Sequence, residues 1–393
     1  MSTTVKEIEK AKTGDIKSPE LCLDSLEIKG YRCFEHLTVE KLGRVNLIVG
    51  KNNVGKTALL EALWIYSRRG FFQFIFDNLS SRNEMIMTHG SNDDPNELNE
   101  RIKELRNIFY ARNEVKPGQN LEATIGSIKK QNSNLKFGLE WHSKKPLKNI
   151  DDYELKENEL FSDKGQSLYF VRNVCGSANY SNPIKTFNNI FWNWEKLVES
   201  DLLKCQFIET KGLKDNYENK LWDNIVLTPL EDKLINSLKI IQPNIGRIAF
   251  TNQSRNRIGL GDSVWAVATL NDSNDRISIK SLGEGMSRML RIALALTNCQ
   301  NGILLIDEVE NGFHYSILPD VWKLIFKTAK ELNVQVFATT HSKDCVEAFA
   351  AAAAESPEDG ILIRLERQDG KVVAKAIEGD MLVDAVNYEV EVR

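Results

Sequence analysis

The sequence predicts an α/β fold assembled from two stretches of chain that flank a long segment of different character. Three observations carry this reading. Compact apolar runs at Val45–Val49, Gly302–Ile306 and Val334–Ala338 have the length and hydrophobicity of strands buried on both faces. Helical stretches at Ala58–Trp64, Met286–Leu296 and Ser316–Leu332 alternate with them, as helices packed on a sheet do. Between the two stretches, over 71–245, the chain becomes rich in Asn and Lys and the compact pattern lapses. The expected organisation is a polar tail over 1–20, an N-terminal lobe over 21–70, a mixed but mainly helical insertion over 71–245, and a C-terminal lobe over 246–393.

In chain order, residues 1–20 are polar and aperiodic. Leu23, Leu26 and Ile28 lead into a Lys29-Gly30-Tyr31 turn, and Leu37, Val39 and Leu42 alternate with polar residues at the period of a half-buried strand. A Gly43-Arg44 turn precedes the run at Val45–Val49, and Gly50–Thr57 separates that run from the strong helix formers of 58–64. Inside 71–245 the pattern suggests helices around Glu97–Tyr110 and Lys185–Leu203 and strands at Leu135–Trp141 and Ser167–Val174. Residues 101–150 hold 11 Lys/Arg against 4 Asp/Glu, a local +7, whereas 151–170 hold 6 acids and 2 lysines, a local −4. No internal repeat is visible, and no heptad run is long enough for a long coiled coil. The second stretch opens with a strand-like Arg247–Phe250.

Composition narrows the class. The 393 residues allow one large domain or two to three ordinary ones. At 42% hydrophobic and 27% charged, the chain falls among globular proteins and outside the disordered class. Its 51 Lys+Arg and 55 Asp+Glu leave a net −4, which excludes a chain-wide polycation but not a local basic patch. No apolar run approaches the ~20 residues of a membrane span, and MSTTVKEIEKAKTGDIK lacks a signal-peptide core. Six cysteines (Cys22, Cys33, Cys175, Cys205, Cys299, Cys345) have no CxxC spacing and read as reduced thiols, so a cytoplasmic location is expected.

The sharpest motif is Gly50-Lys51-Asn52-Asn53-Val54-Gly55-Lys56-Thr57, a full match to GxxxxGK[ST] between a buried strand and a helix. Its glycines let the backbone curl so that its N–H groups face phosphates at the positive end of the following helix. With Ala58, these residues form the expected nucleotide-binding loop. Lys56 is expected to reach the β- and γ-phosphates, and the Thr57 hydroxyl to ligate Mg²⁺. A chance match in a chain of this length is on the order of 1% from average residue usage, and the strand–helix context lowers it further.

Ile303-Leu304-Leu305-Ile306-Asp307-Glu308 is an apolar strand ending in two acids. Asp307 is placed to hold Mg²⁺, and Glu308 to act as the general base that orients and polarises water. A strand exit with two solvated acids is common by itself; the accompanying phosphate loop favours the catalytic reading. Two weaker features follow. Ser281-Leu282-Gly283-Glu284-Gly285 opens a helix 26 residues before Asp307, a second anion-binding device. Ala338-Thr339-Thr340-His341-Ser342 ends an apolar strand in a histidine 34 residues after Asp307, where an imidazole can meet the γ-phosphate and the attacking water.

Together these four motifs resemble the ABC-type ATPase heads of the SMC, RecF and overcoming-lysogenization-defect (OLD) families. IKGYRCFE, SLGEGMSRMLRIALAL, LLIDEVENGFH, FATTHS and the later IRLERQDGKVVAKAIEGDML are similar to stand-alone AAA-type ATPases of the OLD-like class. The resemblance covers 21–70 and 220–393 and implies a P-loop NTPase fold: an ABC-type head split by the insertion. It implies ATP and Mg²⁺ as cofactors, with Lys56, Glu308 and the switch histidine His341 catalytic. It also implies a homodimer or higher even oligomer, in which Ser281 and Gly283 of one subunit close over the nucleotide held by the other. Leu282 stands where those families carry a first glycine, and the glutamine loop has no assigned position.

The 52 residues after His341 are too few for the Toprim nuclease domain of full OLD proteins, and an insertion of 175 residues without heptads is not an SMC coiled coil. No HRD or DFG element follows, so a kinase is excluded. Two readings of function remain. By resemblance, lone ATPases of this type belong to prokaryotic phage-defence systems with a separately encoded nuclease or toxin. The first reading is therefore an ATP-hydrolysing dimer that controls such an effector or engages nucleic acid. The second is a RecF-like ATP-dependent DNA clamp in repair. The basic segment 101–150 is expected to be the handle for nucleic acid or partner, standing outside the catalytic core, so that its deletion spares ATPase activity.

Overall fold

The computed structural model describes residues 20–85, 100, 102–114, 119–143, 166–174, 178–183, 202–210, 217–253, 263–271, 273–378 and 382. The expected tail (Glu20 apart) and all but the last two residues of the expected helix at Lys185–Leu203 lie outside these residues. The chain opens with β1 (Leu26–Tyr31), β2 (Phe34–Val39) and β3 (Val45–Gly50), then α1 (Lys56–Ser67) and α2 (Phe72–Ser81). Next come β4 (Leu121–Gly126), β5 (Leu135–Ser143), β6 (Gln166–Val174), β7 (Ala178–Pro183) and β8 (Cys205–Ile208), followed by α3 (Tyr217–Asp223) and α4 (Pro229–Leu238). The remainder runs β9 (Ile245–Gln253), β10 (Ser263–Leu270), β11 (Ser273–Ser278), α5 (Glu284–Asn298), β12 (Ile303–Ile306), α6 (Leu318–Leu332), β13 (Gln335–Thr339), α7 (Lys343–Ala354), β14 (Gly360–Gln368) and β15 (Lys371–Glu378).

The central sheet has the order β15-β14-β3-β13-β12-β8. All its pairings are parallel except β14 with β15 at one edge. All six residues of β3 are buried, as a strand covered on both faces requires. Alternate residues serve two cores. Val45, Leu47, Val49, Leu304, Ile306, Val336 and Ala338 face α5, α6 and α7, whereas Ile48, Ile303, Leu305 and Phe337 face α1. In α6 the apolar residues Leu318, Val321, Trp322, Ile325, Ala329 and Leu332 recur every three to four positions and are buried. Each of its buried Leu, Val and Ile side chains contributes about 1.5–3 kcal/mol by leaving water. The helix stops at Asn333, whose φ of +52° closes it with a left-handed residue.

Helix α1 is buried nearly all round, which fixes its place between two layers. One is the parallel sheet. The other is an antiparallel sheet of order β2-β1-β4-β5-β6-β7, whose Ile28, Phe34, Ile125, Leu135, Phe137 and Phe170 share a core with Leu59, Leu60, Leu63 and Ile65. A three-stranded sheet, β11-β10-β9, leads into the turn before α5.

Two expectations about 71–245 are corrected. The described part of that segment mixes helix and strand about equally, and the helix expected around Glu97–Tyr110 breaks early: a helical turn over 102–105 gives way to 3-10 turns at Arg106–Ile108 and Tyr110–Arg112, and five strands follow before α3 and α4. Nor is the segment separate from the head, because β4 pairs with β1 and β8 pairs with β12. The basic stretch 101–150 therefore contains core strands, and three of its lysines are locally paired: Lys103 with Glu100, Lys130 with Glu20 and Lys136 with Glu122. Buried Phe109, Leu135, Phe137 and Leu139 make it part of the support of α1. The strand expectations at Leu135–Trp141 and Ser167–Val174 match β5 and β6. Among the described residues, no helix is long and apolar enough to cross a membrane.

Candidate nucleotide-binding and hydrolysis site

The parallel strands deliver their C-terminal ends to one edge of the sheet, the place where open α/β sheets hold ligands. Gly50–Thr57 leaves β3 there. Gly50 has φ +145° and Gly55 φ +113°. A Cβ at Gly50 would sit 2.4 Å from the Leu365 carbonyl oxygen, and one at Gly55 would sit 2.6 Å from Cys33 Sγ, so neither position tolerates a side chain. Val54 turns inward and is buried, while Asn52, Asn53, Gly55, Lys56, Thr57 and Ala58 line the cleft. No side chain caps the start of α1, whose first amides are the donors an anion would take. Lys56 Nζ donates back to the carbonyls of Gly50 at 2.7 Å and Lys51 at 3.1 Å. Burial holds its amine below the usual lysine range, with Asp307, Glu308 and Glu310 acting in the opposite sense.

Asp307 at the end of β12 gathers three threonines. Thr57 Oγ1 stands 3.2 Å from Oδ2, Thr210 Oγ1 donates to Oδ2 at 3.1 Å, and Thr339 Oγ1 donates to Oδ1 at 2.7 Å. Thr210 lies just beyond β8 and Thr339 ends β13. The donor set suits a hard divalent cation. Two oxygens bound to one octahedral Mg²⁺ at ~2.0–2.1 Å are about 3 Å apart, close to the Thr57–Asp307 spacing. Thr57 and Asp307 would hold the metal, which when bound would neutralise phosphate charge.

Glu308 follows with a left-handed φ of +48°, uncommon for a residue with a side chain. Its amide donates to Thr339 Oγ1 at 2.8 Å, and its carbonyl accepts from Arg288 Nη2 at 3.0 Å. Its carboxylate oxygen Oε1 is 3.8 Å from His341 Nε2, with both side chains part-exposed. The amide of His341 donates to Glu310 Oε1 at 2.9 Å. Lys56, Thr57, Glu308 and His341 thus line one cleft of about 560 Å³, within the usual size of ligand pockets.

That cleft contains residues the motifs did not assign. Arg32, Arg82, Arg112 and Arg367 line it, so that with Lys56 five cations face two carboxylates, Glu84 and Glu308. Such a wall suits a polyphosphate. Arg32 and Arg82 are held by Glu61 of α1, at 3.1 and 2.7 Å, and Arg32 also pairs with Glu84 at 2.9 Å. Arg32 stands inside IKGYRCFE, a run that marks the resemblance without pointing to its arginine. Ser281 and Gly283, by contrast, are not in the lining of their own chain's cleft. They occupy the turn before α5, where Gly283 has φ +102° and open space around its missing Cβ.

Comparison with known proteins gives the family of the chain. A protein named ATP/GTP phosphatase from Helicobacter pylori is 23% identical over 390 residues, covering 92% of this chain and 96% of its own. The DNA replication and repair protein RecF of Pseudoalteromonas translucida is 36% identical over 69 residues, 18% of this chain and 17% of its own. Among solved structures, an SMC head bound to the C-terminal winged-helix domain of ScpA aligns over 92% of this chain and 99% of its own, at 13% identity and a TM-score of 0.48. The model of the AAA ATPase domain family matches residues 22–226 and 206–346. The chain belongs to the AAA ATPase domain family and is an ATPase.

Proposed function

We propose that the chain binds ATP as its Mg²⁺ complex in this cleft and hydrolyses it. Thr57 and Asp307 hold the metal, Lys56 meets the phosphates, Glu308 orients and polarises the attacking water, and His341 contacts the γ-phosphate side. What supports the reading is the convergence of Lys56, Thr57, Asp307, Glu308 and His341, from three parallel strands, on one cationic cleft. The name of the full-length relative, ATP/GTP phosphatase, points the same way.

The working form in this reading is a dimer or higher even oligomer, because Ser281 and Gly283 are an anion-binding turn that its own cleft does not use. Hydrolysis would then change the shape of the dimer, and its output is control of a separately encoded effector, a nuclease or toxin, or engagement of nucleic acid in antiviral defence within the cytoplasm. The resemblance to OLD-like ATPases supports this output, and the sequence contains no second catalytic motif. Phosphate release by the purified chain, with Mg²⁺ and with EDTA, tests the chemistry. Co-purification with the product of the neighbouring gene tests the output. Metal-independent or absent release sinks the first part, and a chain that never associates with an effector or nucleic acid sinks the second.

A further inference from the structure

Arg288 lies on the buried side of α5, five residues after Gly283, and only 2% of its surface is exposed. Its hydrogen bonds go to three backbone carbonyls: Nη2 donates to Asp307 O at 2.8 Å and Glu308 O at 3.0 Å, and Nη1 to Glu209 O at 3.3 Å. Its Nε has no hydrogen-bond partner. Burying a guanidinium without a carboxylate bonded to it is costly, and an apolar side chain of similar length would pack there at less expense. Burial pushes Arg288 down to about 10, with Arg291 adding to the shift and Asp307, Glu310 and Glu308 opposing it, so the group stays charged at neutral pH.

The carbonyls it holds belong to the turn with the unusual backbone. Glu308, at φ +48°, is held through its amide by Thr339 and through its carbonyl by Arg288. Strained residues persist only where the surroundings over-determine them. A second link joins the same two segments. A Cβ on Gly285 would lie 3.0 Å from the Gly312 carbonyl oxygen, and one on Gly312 would lie 2.9 Å from Glu284 Cγ. The first turn of α5 and the loop 308–312 are therefore in close contact, and Glu310 in that loop holds the amide of His341.

We propose that Arg288 is a positioning residue that ties the Ser281–Gly283 turn to Glu308, so that an anion docked on that turn sets the geometry of hydrolysis in the same chain's cleft. This rests on the ATPase reading above. When α5 is drawn toward a docked phosphate, Arg288 carries the Glu308 carbonyl with it, and the Gly285–Gly312 contact carries the loop that fixes His341. The coupling needs no change in nucleotide affinity, because Arg288 does not line the cleft.

The test is steady-state ATP hydrolysis by Arg288→Met and Arg288→Lys, alongside binding of a fluorescent ATP analogue. Arg288→Met is expected to lower kcat by roughly 30-fold or more, with KM and analogue affinity within about threefold, and Arg288→Lys to recover part of kcat. Ser281→Ala should lower kcat in the wild-type chain but add little to Arg288→Met, the mark of two residues acting as one unit. Gly285→Ala tests the second link in a folded chain should Arg288→Met fail to fold, and is expected to lower kcat with affinity retained. Unchanged kcat in Arg288→Met and Gly285→Ala, loss of affinity in place of kcat, or fully multiplicative losses with Ser281→Ala would overturn the inference and leave the ATPase reading standing. A wild-type chain that releases no phosphate sinks both.

Discussion

The Thr339 hydroxyl donates to Asp307 Oδ1 at 2.7 Å with the threonine wholly out of solvent, and the same oxygen accepts the Glu308 amide. One hydroxyl thus holds Asp307 and Glu308 in fixed relation. Thr339→Val keeps the shape and removes both bonds. It should cost about 1–3 kcal/mol for the polar groups left without partners, read as a shift in the urea midpoint. The Mg²⁺ concentration for half-maximal activity should rise several-fold. An unchanged midpoint together with an unchanged metal requirement would count against this role.

Separate removal of charge and of the base should give different failures. Glu308→Gln is expected to retain nucleotide binding and lose turnover by two or more orders of magnitude, a range ordinary for removal of a general base. Lys56→Ala should instead lose binding of the fluorescent analogue. Near-normal turnover by Glu308→Gln would place the base elsewhere.

Composite sites predict complementation. A Lys56→Ala chain mixed with a Ser281→Arg chain leaves one intact pairing of loop and signature in each mixed dimer. Random mixing should then restore about a quarter of wild-type activity in a twofold-symmetric assembly. Glu308→Gln with ATP should trap the dimer, visible by light scattering. If mixed dimers form and no activity returns, each chain completes its own site.

Lys56 sets a pH dependence whose sign is fixed by its burial. Its amine loses its proton at a lower pH in the empty folded loop than in the unfolded chain. Between those two values the unfolded state binds more protons, so the stability of the empty protein rises with pH there. Nucleotide affinity moves the other way, falling with pH over that window as the charge that meets the phosphates is lost. Analogue titrations from about pH 7 to pH 10, spanning the approach to the ordinary lysine range, should show the fall in wild type and a flat profile in Lys56→Arg. A flat wild-type profile would remove the assignment.

The legible parts of the sequence were those where one local pattern meets one local cause. β3, β12 and β13 read as strands because both their faces are covered, and the phosphate loop follows from its glycines and lysine. β8 was hidden because a four-residue edge strand has no period to read, and its partner β12 lies about a hundred residues on. With β8 went Thr210. β5 and β6 were legible from their apolar runs, whereas β4 is short and its partner β1 lies about a hundred residues away in sequence. Arg288 was unreadable for the opposite reason. A charged residue on a helix suggests a solvated face, whereas here it points into the core toward carbonyls that only the folded sheet assembles.

The position of β3 has a consequence for biosynthesis. Its six buried residues pair on one side with β13, Val45 against Val336, and on the other with β14, Val45 against Gly360. Those partners are 291 and 315 residues downstream. At about 5–20 residues per second a ribosome takes roughly 15–60 s to supply the first of them. Through that interval the strand that carries the phosphate loop has no neighbour in its sheet, and its apolar faces are open to chance contacts. Pairings of such long sequence separation also slow refolding from denaturant. The nascent N-terminal half is thus a natural client for chaperones, and the loop acquires its shape only once most of the chain has been made.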